Sequence, residues 1–80
     1  MNLYKISQSK NVGYDTYDSA VVAAETEEAA RLINPSGYSD SDYWAESVWV
    51  KDLNNVSVQF IGVAAVGIAS GVIVASFNAG

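Results

Sequence analysis

The sequence predicts a small α+β domain in which a four-stranded, mostly antiparallel sheet and one short helix form two layers in the order β-β-α-β-β. Apolar residues that alternate with polar ones indicate strands, and a capping residue before two glutamates indicates one helix. The stretch after residue 52 carries no charged side chain and is rich in Val and Ile, which favours further strands. With 80 residues, the chain is expected to be a single domain, 1–80, with a thin core.

The first two strands are predicted in the first 24 residues. Residues 2–10 alternate, with Tyr4 and Ile6 on one side of a half-buried strand. Residues 11–13, Asn-Val-Gly, have the chemistry of a turn, and the apolar run 20–24 has the length of a strand. We therefore expect a strand, a loop and a second strand.

One short helix is predicted after the second strand. Thr26 stands at the N-cap position, and the two glutamates that follow it complement the helix dipole. The helix is expected to stop before Pro35, because the residue before a proline avoids the α region. About two turns of helix are not stable alone, so an apolar face of Ala29, Leu32 and Ile33 is expected to lie on the sheet.

The uncharged C-terminal stretch supports two interpretations. Residues 60–77 are long enough to span a bilayer, and Gly67 and Gly71 have the spacing of small residues in membrane helix pairs, so they could form a tail anchor. However, residues 55–60 alternate in polarity, residues 67–71 resemble a turn, and no basic cluster orients a span. A β-hairpin is therefore expected, with exposed apolar surface suited to forming a homo-oligomer.

The composition excludes most enzyme chemistry. The chain has no Cys and no His, which removes disulfides, thiolate and imidazole metal sites, and the usual nucleophile pairs. A formal net charge of -5 with four basic residues disfavours direct nucleic-acid binding. We expect a protein that is not an enzyme and holds no cofactor or metal. Residues 1–19 do not show the basic start and apolar run typical of a secretory signal, so a cytoplasmic location is expected.

Several segments of the chain resemble those of a group of small proteins from bacteriophage genomes. The segments that carry the resemblance are LYKISQ at 3–8, YDTYDSAVVAAETEEAAR at 14–31, Ile61-Gly62, and GVIVASFNAG at 71–80. The resemblance implies a protein that works in the cytoplasm of an infected bacterial host, and it implies no particular activity. In size and in its strand-strand-helix opening, the chain is also similar to small phage anti-CRISPR proteins, which inhibit host nuclease complexes.

Two acidic and aromatic segments are the candidate partner-binding residues. They comprise Tyr14, Asp15, Tyr17, Asp18, Asp40, Asp42, Tyr43 and Trp44. Carboxylates beside tyrosines can imitate a nucleic-acid backbone and occupy a basic groove, and Tyr and Trp are frequent at interface hot spots. The alternative is a solvated loop for the first segment and, for Trp44 and Trp49, a place in the core.

The expected function is protein binding. The chain is interpreted as a phage-encoded accessory protein that occludes a host defence nuclease or CRISPR-Cas effector, which is a protein or ribonucleoprotein partner. The alternative is a virion decoration or assembly protein that self-associates through the apolar C-terminal hairpin, since exposed edge strands suit such assembly.

Overall fold

The structure is a computed structural model that describes residues 1–37 and 47–78. Its regular elements are β1 (Asn2–Ser7), β2 (Thr16–Ala24), α1 (Glu27–Arg31), a 3-10 turn (Leu53–Asn55), β3 (Ser57–Val63) and β4 (Gly71–Asn78). The four strands form one sheet in which every pairing is antiparallel. The predicted α+β fold with the order β-β-α-β-β is therefore confirmed.

The C-terminal strands do not form the predicted hairpin. The strand order is β3-β1-β2-β4, so β3 and β4 lie at opposite edges of the sheet, on either side of the central β1–β2 hairpin. Each edge strand packs an aromatic ring on that hairpin instead. The rings of Tyr4 and Phe60 have centroids 5.8 Å apart, and those of Tyr17 and Phe77 are 4.8 Å apart. Residues 64–70 connect the two edge strands across one end of the central hairpin.

The same stretch does not form a membrane-spanning helix. Residues 60–77 comprise the second half of β3, the 64–70 connection and most of β4. No helix in the two described ranges is long and apolar enough to cross a membrane.

The buried core lies between one face of the sheet and a layer made of α1 and the segment before β3. Alternation in β1 buries Tyr4 and Ile6 while Lys5 stays exposed, as the sequence pattern predicts. Trp49 is 1% exposed and packs in this core. The core interpretation of this tryptophan is therefore confirmed, whereas Trp44 lies outside the described residues.

The helix begins as predicted, and Ile33 packs on the core as expected, but Ala29 and Leu32 are exposed. Thr26 accepts a hydrogen bond at its Oγ1 from the Ala29 backbone N–H at 3.1 Å. Ala30 is buried, whereas Leu32 is 62% exposed, so the predicted packing of Leu32 is wrong. The helix ends at Arg31 because the next N–H bonds to the carbonyl of Ala29 in the tighter 3-10 pattern, which rotates Leu32 outward.

A buried glutamine fixes the loop between β1 and β2. The Nε2 of Gln8 donates to the carbonyls of Asn11 at 2.8 Å and Tyr17 at 2.9 Å. Its Oε1 accepts from the backbone N–H groups of Lys10 at 2.9 Å and Asn11 at 2.8 Å. One side chain therefore bonds to four backbone groups of the loop and of the start of β2.

Two further side chains attach the second layer to the sheet. The Nδ2 of Asn11 donates to the Trp49 carbonyl at 2.9 Å, which holds the tryptophan segment against the β1–β2 loop. The guanidinium of Arg31 donates to the carbonyls of Leu53 and Val56, and these two hydrogen bonds join the end of α1 to the start of β3. Such side-chain bonds help to hold the second layer on the sheet, because a helix of five residues makes few packing contacts of its own.

Replacing the loop glutamine is expected to destabilise the domain. Gln8→Ala leaves two backbone N–H groups and two carbonyls without their partner, and should lower the free energy of unfolding by about 2–3 kcal/mol. Gln59→Ala, on the exposed side of β3, is the matched control and should change it by less than about 0.5 kcal/mol. Urea unfolding followed by tryptophan fluorescence measures both. Equal effects of the two substitutions would contradict the role given to Gln8.

A pair of valines tests which face of the sheet is the core. Val58 lies on the core side of β3, whereas Val74 of β4 is 60% exposed on the other face. Val58→Asp should destabilise by roughly 3 kcal/mol or more, because it places a charge against apolar neighbours. Val74→Asp should cost about 1 kcal/mol or less and retain the native circular-dichroism spectrum. A well-folded Val58→Asp variant would show that the faces are assigned wrongly.

Candidate protein-binding site

The first acidic segment forms the end of the central hairpin, and residues 14–18 are called the acidic turn below. Asp15 has a φ of 58°, in the left-handed region that Asp adopts more readily than most residues. The hydroxyl of buried Thr16 donates to the Gly13 carbonyl at 2.6 Å. The Asp15 N–H donates to the Asn78 carbonyl at 2.6 Å. The acidic turn is therefore fixed by bonds to its own backbone and to the end of β4.

Three of the four predicted residues in the acidic turn face solvent. Tyr14 is 77% exposed, and both Asp15 and Asp18 are exposed. Tyr17 is half-buried, and its ring packs on Phe77 with an angle of 56° between the ring planes. The structure thus brings these four residues together, with Tyr17 supporting the surface rather than forming its tip.

Asp18 occupies a β-bulge, where the pairing of β2 with β4 shifts by one residue. The Ser19 hydroxyl donates to its Oδ1 at 3.4 Å. The hydroxyl of Ser76, on the neighbouring strand, is the main cause that holds the pKa of Asp18 below its ordinary value, and desolvation opposes this effect. Asp18 is consequently ionised at neutral pH. It belongs to β2 and lies beside Ser76 of β4.

The second predicted segment, which comprises Asp40, Asp42, Tyr43 and Trp44, lies outside the described residues.

A row of four serines crosses the sheet on the face opposite the core. Ser7 pairs with Ser57 on one side and with Ser19 on the other, and Ser19 pairs with Ser76. This row ends beside Asp18, so hydroxyl groups extend the polar surface of the acidic turn along the sheet. Sequence reasoning missed the row, because the pairing of distant strands brings these serines together and no local pattern marks it.

The arrangement suits contact with a macromolecule more than enclosure of a small ligand. The carboxylates of Asp15 and Asp18 are exposed on a projecting turn, and no basic residue occurs in the sequence between Lys10 and Arg31. A projecting pair of carboxylates with a tyrosine beside it can accept hydrogen bonds from Lys or Arg side chains of another protein.

Comparisons with known proteins identify no relative. No protein-family model, no curated protein and no solved structure matches the chain.

Removing the Ser76 hydroxyl is expected to raise the pKa of Asp18 toward its ordinary value. Because the folded-state pKa of Asp18 is depressed, its ionised form stabilises the fold above the unfolded-state pKa, and this contribution is lost as the pH falls through the folded-state value, below about pH 4. Ser76→Ala should shrink that acid-dependent contribution. Carboxyl-carbon NMR titration measures the pKa directly.

The matched control for this titration is Ser57→Ala, at the far end of the serine row. It should leave the titration of Asp18 unchanged, because Ser57 is separated from β4 by two strands. A Ser76→Ala variant whose Asp18 titrates as in the wild type would contradict the assigned hydrogen bond.

Proposed function

We propose that the protein acts by binding another protein through the acidic turn. The observation that supports this most strongly is that an exposed acidic and aromatic turn is held rigid by the sheet. The backbone bond from Asp15 to Asn78 and the packing of Tyr17 on Phe77 fix it before any partner arrives. A preorganised surface loses little conformational entropy on binding, which favours affinity.

The proposed partner has a positively charged surface. The net charge of -5 would steer the protein toward basic clefts, which occur where proteins hold nucleic-acid backbones. In its specific form, the proposal is a phage-encoded inhibitor that occludes such a cleft in a host defence nuclease or CRISPR-Cas effector. The acidic turn and the resemblance to small phage proteins support this form. The place of action would be the cytoplasm of the infected bacterium.

A structural role in virions is the second candidate function. It is favoured by the position of β3 and β4 at the sheet edges, where they carry no charged side chain. Of the twelve exposed large hydrophobic side chains in the described ranges, eight lie between residues 60 and 77. A protein with this role should be recovered in stoichiometric amount from purified phage particles, whereas an inhibitor should be absent from them.

Capture of partners from infected host cells tests the proposed function. Tagged protein, expressed at low level and cleared of particles, should retain one stoichiometric host complex with a basic cleft. Recovery of capsid components alone would favour the virion role.

Neutralising the acidic turn should weaken the captured interaction. The double variant Asp15→Asn, Asp18→Asn keeps the size of both side chains and removes two charges. We expect binding to fall at least about tenfold and its salt dependence to flatten. The matched control is Glu27→Gln, Glu28→Gln, which removes two charges from the first turn of α1 and should leave binding within about twofold. Equal losses in both variants would mean that net charge, and not the acidic turn, drives binding.

A further inference from the structure

A cleft opens where β2 ends and α1 begins. It encloses about 250 Å³ and is lined by Met1, Ala24, Glu25, Ala29, Ile33 and Ser70. The residue before β1, the residues around α1 and the end of the 64–70 connection therefore meet here. The acidic turn lies at the other end of the nine-residue strand β2, roughly 27 Å away at about 3.4 Å per residue. The cleft is thus separate from the surface described above.

The walls of the cleft are mainly apolar. Met1, Ala24, Ala29 and Ile33 contribute apolar side chains. Ala24 belongs to the buried core and Ile33 packs against it, so one wall of the cleft is the edge of the core itself. Ala29 is held in place because its backbone N–H donates to the capping hydroxyl of Thr26 at 3.1 Å. The shape of the cleft therefore follows from contacts that the fold already makes.

One carboxylate and one hydroxyl are the polar side-chain groups of the lining. They belong to Glu25 and Ser70, which are both exposed. Within residues 1–37 and 47–78, neither a basic side chain nor the Met1 amino group pairs with the Glu25 carboxylate. None of the four basic residues of the chain lines the cleft. The cleft therefore combines an apolar wall with a negative charge that has no partner of its own.

We propose that this cleft binds a lysine side chain of a partner protein. The flexible four-carbon stem of the lysine lies along the apolar wall, as such stems do on protein surfaces. Its ammonium group donates to the Glu25 carboxylate and to the Ser70 hydroxyl. An ammonium group has three donors and no acceptor, so these two acceptors leave one donor for water.

Size and charge select lysine over other occupants. Pockets that enclose drug-sized molecules and cofactors measure about 300–1,000 Å³, so this smaller cleft suits a single side chain. An apolar side chain would cover the Glu25 carboxylate without pairing with it, which costs free energy. The guanidinium of arginine brings five donors in a rigid plane, and most of them would find no acceptor here.

Lysine binding in the cleft does not depend on the proposed function of the acidic turn. The two sites lie at opposite ends of β2, and no residue is shared between them. If the cleft binds no lysine, the capture experiment and the charge-neutralised variants still test the acidic turn. If the acidic turn binds no partner, the small probes named below still test the cleft.

Amide NMR of the nitrogen-15-labelled protein tests the cleft with a blocked lysine, N-acetyl-lysine N-methylamide. The amide signals of Ala24, Ala29 and Ser70 should shift and saturate with a dissociation constant of about 1–10 mM, the range expected for one ion pair with a small apolar contact. Blocked norleucine has the same four-carbon stem without the ammonium group and should bind at least about tenfold more weakly. Blocked arginine should also bind more weakly than blocked lysine.

Three substitutions separate the charge of the cleft from its shape. Glu25→Gln removes the carboxylate and should weaken the binding of blocked lysine at least about fivefold. The matched control is Glu27→Gln, in the first turn of α1 but outside the lining, which should leave binding within about twofold. Ala29→Leu keeps a good helix former and fills the cleft, so it should abolish the saturable shifts at Ala24 and Ser70. Circular dichroism checks that all three variants fold.

Two results would overturn the proposal at the level of the wild-type protein. One is the absence of saturable shifts at the cleft up to about 100 mM blocked lysine, well above the expected dissociation constant. The other is equal binding of blocked norleucine or blocked arginine, because the cleft would then not select a lysine ammonium group. Shifts that persist unchanged in a folded Ala29→Leu variant would also overturn it, since the lysine would then bind elsewhere on the protein.

Discussion

The rest of the structure depends on the pairing of β1 with β2, and the four hydrogen bonds of Gln8 hold that pairing in register at its loop end. Both edge strands pair with this hairpin, and Asn11 in the β1–β2 loop bonds to the Trp49 carbonyl of the second layer. A polar side chain is suited to this task because a slip of one residue would leave its four backbone partners unsatisfied. The geometry of the acidic turn follows from the same constraint, since the turn closes the hairpin that Gln8 fixes.

The sequence was sufficient to predict the elements that depend on neighbouring residues. Alternation in β1 identified its buried face, Thr26 marked the start of α1, and the fold class followed from the order of elements. What could not be predicted was which strands pair. The turn-like residues 67–71 suggested a local hairpin. Instead, β3 and β4 each pack an aromatic ring on the central hairpin, on residues that are far away in the sequence.

The candidate site could likewise be predicted only in part from the sequence. The acidic and aromatic composition of residues 14–18 was visible in the sequence, whereas its rigidity was not, because Asn78, Phe77 and Ser76 become neighbours only when β4 pairs with β2. The bulge at Asp18 and the serine row arise from the register between strands, which a single sequence does not encode in any short pattern. Composition therefore suggests where a partner could bind, and the pairing of the strands determines the shape of the surface presented to that partner.

The order of strands also governs how the chain can fold as it is synthesised. β1 and β2 are close in sequence and can pair early, but β3 and β4 must wait until distant parts of the chain emerge, and such non-local pairings form slowly. During that interval both sides of the hairpin are open edges with apolar side chains, a state prone to aggregation. Since β4 follows the other three described strands in the chain and pairs with β2, its pairing removes the open edge on that side of the hairpin.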